Sequence, residues 1–143
     1  MRRRSLTRAG TLVGLSMLAA PLLAGCNAAD PLGADLIAQP VHLVFFEGDS
    51  VAIGESAMAV VRDAAAIARR YPAQPVRVLG FAGPAGSVAY NRALSNARAQ
   101  AIAEELREAG VAPARLMVSA RGPVEFADIA TESRRVEIRI GPQ

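Results

Sequence analysis

Residues 80–102, GFAGPAGSVAYNRALSNARAQAI, constrain the fold more than any other stretch of the chain. The apolar run ending at Gly80 gives way to a turn of Gly83, Pro84, Ala85 and Gly86, and a long helical pattern follows. Ser95, Ala99, Ile102, Leu106 and Ala109 recur at helical spacing and predict one buried stripe on a helix over residues 87–109. Its many alanines let the helix lie close on a sheet. Gly110 supplies a stop, and Pro113 stands shortly beyond it. A strand end, a tight turn and a long helix thus fix one unit, and the remaining elements are read outward from it.

Upstream, residues 41–46, VHLVFF, predict a strand buried on both faces or at the sheet centre. Glu47, Gly48, Asp49 and Ser50 end it with turn residues. Residues 55–70 predict a helix. Val60, Ala64, Ile67 and Tyr71 make an amphipathic stripe with Ala57, Val61 and Ala68 beside it. Ser56 is a candidate cap, Arg69 and Arg70 complement the C-terminal dipole, and Pro72 stops the helix. Residues 75–80 and 115–120 predict two further strands, separated from the last by an irregular loop over 121–133 with a helical turn near 126–130. In residues 134–140, RRVEIRI, Val136, Ile138 and Ile140 face one way, and Arg135, Glu137 and Arg139 the other. That alternation suits a sheet covered by helices on one side only. The order is βαβαββ, which predicts an α+β two-layer sandwich over residues 41–143. It has a mixed four-stranded sheet and two main helices on one face, and about 100 residues suffice for one core.

The first 40 residues read differently. Arg2, Arg3, Arg4 and Arg8 precede an apolar run from Thr11 to Leu23, too short to span a bilayer comfortably. Leu22-Leu23-Ala24-Gly25-Cys26 then resembles the bacterial lipobox. The resemblance implies a lipoprotein signal peptide over residues 1–25. It also implies a mature protein that starts at Cys26, carrying a thiol-linked diacylglycerol and an amide-linked acyl chain such as palmitate. Ordinary cleavage and an uncleaved signal anchor are the alternatives. Several acyl tails, at about 0.8 kcal/mol per buried CH₂, hold a membrane stably where one is marginal. Asn27 rather than Asp after the cysteine leans towards the cell outer membrane, with the domain facing the periplasm. Residues 26–40 read as the lipidated Cys and a flexible tether. Its 14 or so residues reach roughly 45–50 Å at full extension.

Composition narrows the chemistry. Without the four N-terminal arginines, 12 Arg face 13 Asp and Glu, so there is no basic surface to argue for nucleic acid. The lone cysteine excludes a disulfide within the chain. His42 is the single histidine, with no second His or Cys pair to make a metal site, and it reads as structural or solvent-facing at a strand start. No Ser/His/Asp arrangement appears, Glu104-Glu105 reads as a solvated helix face, and GFAGPAG fits no phosphate loop. No cofactor is implied, and the reading is a binding module rather than an enzyme.

Asn91, Leu94 and Arg98 are spaced i, i+3, i+7 on one helix face beside the buried stripe. An Arg there is placed to grip a carboxylate through two parallel N–H bonds. The plainer alternative lays its stem along the core edge and pairs it with Asp49 or Glu47. The segment from Asn91 to Ala99, with Gly80 eleven residues before it, resembles the N-x-x-L-S-x-x-R-A signature of OmpA-like peptidoglycan-binding domains. These occur in OmpA C-termini, peptidoglycan-associated lipoproteins and flagellar motor stators. Residues 46–53, Gly110-Val111 and residues 133–138 resemble the family's first strand, helix end and final strand.

The resemblance implies an OmpA-like fold, a cell-envelope role and non-covalent binding of peptidoglycan, with Arg98 on a carboxylate of the stem-peptide diaminopimelate. Asn91 and Leu94 match its peptide-contacting positions, and Asp49 matches a polar contact more loosely. One position departs: Gly83 stands where the family has an Asp that takes the opposite ligand charge, and Ala82 replaces its neighbouring Thr. Weakened binding is expected, with Asp49, Glu125 or Asp128 as replacement carboxylates. The alternative is a degenerate domain that serves as a protein-interaction or assembly subunit among other envelope proteins.

Overall fold

The computed structural model describes residues 39–125 and 130–142. The expected signal, Cys26 and most of the tether lie outside the described residues, as do Asp128 and most of the expected turn near 126–130. The strands are β1 (His42–Phe45), β2 (Val76–Ala82), β3 (Leu116–Pro123) and β4 (Arg135–Ile140). The helices are α1 (Glu55–Arg70) and α2 (Val88–Glu108), with short 3₁₀ turns at Pro113–Arg115 and Ala130–Ser133. The strands form one mixed sheet in the order β1-β4-β2-β3; β4 runs antiparallel to both neighbours and β2 parallel to β3. The α+β architecture with two main helices is therefore the one the sequence predicts.

The core lies between the sheet and the helices. Val44, Phe46, Val76, Val78, Val136, Ile138 and Ile140 meet Val61, Ala64, Ala68, Ala99, Ile102 and Leu106 there, nearly all inaccessible to solvent. The contact of α2 with β2 is unusually close. A Cβ on Gly80 would stand 1.9 Å from the Ser95 carbonyl oxygen, so only glycine lets the helix backbone come down onto the strand. Ser95 Oγ accepts the Gly122 N–H at 3.1 Å and ties α2 to β3 as well. Gly122 follows a bulge: Gly80 pairs with Ala120 but Phe81 pairs with Gly122, which leaves Arg121 out of register.

Several local expectations change. The apolar run at β1 is neither central nor buried on both faces. β1 is an edge strand, with Leu43 and Phe45 40% and 45% exposed and Val44 buried. A continuous apolar run carries no signal for which face a helix will cover. Ser56 does not cap α1: Gly54 is the N-cap without a side-chain bond, and Ser50 Oγ accepts from the Ala52 N–H instead. At the other end of α1, Arg115 donates to the carbonyls of Ala68, Tyr71 and Gln74. It belongs to the 3₁₀ turn, not to β3, because this clamp holds its backbone out of the sheet. β2 extends two residues past Gly80, and β3 continues to Pro123, so the irregular loop is shorter than expected. The wet face of β4 is also drier than its charges suggest. Glu137 is 6% exposed, bonded between Arg135 and Arg139.

Candidate functional site

The site forms where three connections meet: the loop after β1, the turn between β2 and α2, and the segment before β4. Ser87 caps α2, its Oγ accepting the Tyr90 N–H at 3.1 Å. One turn further in, Asn91 is buried and its Nδ2 donates to the Ala85 carbonyl at 2.7 Å, which fixes the Gly/Pro turn against the helix start. Three turns in, Arg98 is 0% exposed. Its guanidinium lies 5.1 Å from the Phe46 ring centroid, and it donates from Nε to Ser50 O at 2.9 Å and from Nη2 to Gly48 O at 2.6 Å.

Arg98 therefore does not pair with Asp49 or Glu47 through hydrogen bonds; it holds the loop backbone. A guanidinium has five N–H groups. With two engaged, both on Nη1 and one on Nη2 are left, and Nη1 is buried without a partner among the described residues. A buried charged donor left unpaired costs about 1–3 kcal/mol or more, so a carboxylate that met it would recover that penalty. Burial pushes the Arg98 guanidinium below its usual range, the Asp49 carboxylate pulls it back up, and the Arg134 charge lowers it again.

Arg98 lines a cavity of about 90 Å³ together with Gly48, Asp49, Gly83, Ala85, Asn91, Leu94 and Arg134. All four residues singled out in the sequence for ligand contact (Asp49, Asn91, Leu94 and Arg98) thus surround one space. So does Gly83. That volume suits a group of carboxylate size rather than a whole ligand, since one water occupies about 30 Å³ of liquid. Among the described residues, two guanidinium groups against one carboxylate favour an anion.

Of the suggested replacement acids, Asp49 is at the cavity, where its Oδ2 accepts from Tyr90 Oη at 3.2 Å and raises the pKa of that phenol. Glu125 is exposed and does not line the cavity. Arg134 and Tyr90 were not singled out in the sequence. Arg134 Nε donates to Phe46 O at 3.3 Å and its Nη2 to Thr131 Oγ1 at 3.2 Å. Its place before an alternating strand is a usable signal, since the strand's first residue marks where the chain crosses the end of the sheet. Ser133 is buried and donates to Ala130 O at 2.8 Å.

The comparisons with known proteins agree with this architecture. Outer membrane porin F of Pseudomonas fluorescens is 35% identical over 116 residues, covering 75% of this chain and 36% of the porin. The probable lipoprotein YiaD of Escherichia coli is 27% identical over 116 residues, covering 77% of this chain and 53% of that protein. The chain thus spans between a third and about half of the length of these relatives. The crystal structure of the peptidoglycan-associated lipoprotein from Burkholderia pseudomallei superposes with a TM-score of 0.64 at 22% identity, covering 69% of this chain and 89% of that one. The OmpA family model matches residues 45–139, which include β2, β3, nearly all of β4 and both helices. On that match, and on the sheet order and helix placement it accompanies, the chain belongs to the OmpA family.

Proposed function

We propose that this chain binds peptidoglycan non-covalently, with the carboxylate of a stem-peptide diaminopimelate on Arg98. Asn91 and Leu94 line the approach, and Asp49 stands beside the cavity as its acid. Lipid on Cys26 would hold the domain at the outer membrane, facing the periplasm, where it ties that membrane to the cell wall. One observation carries the reading: Arg98 lines a small cavity of net positive charge and keeps a buried Nη1 without a partner among the described residues. The names of the relatives, an outer membrane porin and peptidoglycan-associated or probable lipoproteins, are consistent with an envelope site of action.

Calorimetric titration of the protein with a stem tripeptide ending in diaminopimelate tests it. Binding should be measurable and should fall at least about tenfold in Arg98→Lys, which keeps the charge but loses the fork. A wild-type protein that releases no heat and shows no competition would contradict it.

A second reading, an assembly subunit that does not hold peptidoglycan, is favoured by one feature. Arg98 is inaccessible to solvent and already engaged by Gly48 and Ser50. Under that reading Arg98→Lys alters folding stability and leaves no ligand affinity to lose.

A further inference from the structure

Next to the Arg98 cavity lies a wider depression of about 500 Å³, lined by Gly83, Pro84, Ala85, Ala130, Ser133 and Arg134. It shares Gly83, Ala85 and Arg134 with the cavity, so the two spaces meet along the backbone of the β2–α2 turn. Among the described residues, no carboxylate lines the depression, and Arg134 is its one charged side chain. The junction is kept open by a missing side chain. A Cβ on Gly83 would stand 3.3 Å from Ser133 Oγ, so a larger residue would fill the passage from one space to the other.

These features set a chemical requirement, which rests on the peptidoglycan reading above. At the end of a diaminopimelate side chain the carboxylate and the amine sit on the same carbon. Fixing the carboxylate on Arg98 leaves the amine at the mouth of the 90 Å³ cavity. As a free ammonium it would face Gly83 and the positive charge of Arg134, with Asp49 the one acid that lines the cavity among the described residues. As an amide it is uncharged and carries an acyl chain that needs an exit. The depression past Gly83 is such an exit, walled by Pro84, Ala85 and Ala130.

We propose that this site accepts a stem peptide whose side-chain amine is acylated, as it is at a peptide cross-link, without loss of affinity, because Gly83 opens the Arg98 cavity into a depression lined by no carboxylate among the described residues.

The test compares two synthetic stem tripeptides, one with the diaminopimelate side-chain amine free and one with it acetylated, titrated into the full chain in detergent. The acetylated peptide should bind at least as tightly as the free one. Gly83→Asp, which introduces an acid and narrows the passage, should turn the ratio about fivefold or more towards the free amine. A wild-type protein that binds the free amine about fivefold more tightly than the acetylated one overturns the inference and leaves peptidoglycan binding standing. An unchanged ratio in Gly83→Asp overturns the assignment to Gly83. Failure of both peptides to bind overturns this inference and the peptidoglycan reading together. Circular dichroism of Gly83→Asp separates a changed preference from a failure to fold.

Discussion

The Arg98 guanidinium donates to the Gly48 carbonyl at 2.6 Å, bridging positions 50 residues apart in sequence. With the Ser50 bond beside it, this contact ties the third turn of α2 to the loop after β1. The same side chain therefore shapes the cavity wall and supplies the charge within it.

Replacing Arg98 should accordingly affect folding as well as any ligand. Hydrogen bonds from charged groups contribute roughly 1.5–3 kcal/mol each. Arg98→Ala loses both carbonyl contacts and should lower stability by at least about 2 kcal/mol, read as a fall in the urea midpoint at unchanged m-value. Arg98→Lys should fall between the two. A stability unchanged in both variants would mean the loop holds itself.

Gly80→Ala is expected to be among the most damaging single changes. Its Cβ would meet the Ser95 carbonyl at 1.9 Å, which is backbone and cannot swing aside. Overpacking typically costs about 1–3 kcal/mol, and this position should reach the top of that range or exceed it. Thermal unfolding followed by circular dichroism measures it.

Acid stability should depend on Glu137. Burial by itself would raise its carboxyl, but the hydrogen bonds from Arg139 and Arg135 outweigh that and hold it below the ordinary carboxylate range. A depressed folded-state value means the unfolded chain takes up the proton first. The contribution is thus complete above the ordinary pKa of about 4.3 and is lost as pH falls below it. Glu137→Gln should be less stable at pH 6 and show a flatter decline between pH 5 and pH 3 in urea titrations.

His42 sets a second pH dependence, nearer neutrality. Burial lowers its pKa against an opposing pull from Asp63, and its Nε2 is buried without a partner among the described residues. Here too the unfolded chain binds the proton more readily, so stability should drop as pH falls through about 6.5. His42→Phe should remove that slope between pH 7.5 and pH 5.5.

The sequence carried the fold wherever a pattern reports one physical cause. The stripe on α2, the stop at Gly110 and the apolar face of β4 formed by Val136, Ile138 and Ile140 each follow from burial or backbone geometry and appear where expected. It was silent where the cause is long-range. The exposure of Leu43 and Phe45 depends on β4 inserting between β1 and β2, which no local pattern encodes. The clamp of Arg115 on α1 joins residues more than 40 apart in sequence. At the site, helical spacing placed Asn91, Leu94 and Arg98 on one face. The partners of Arg98 are backbone carbonyls, which have no residue identity to read.

Co-sedimentation with purified cell-wall sacculi tests the central claim most directly. The wild-type chain should pellet with sacculi, and a folded Arg98→Lys variant should remain largely in the supernatant. Wild-type protein that stays in solution, or Arg98→Lys that pellets equally well, would contradict the account.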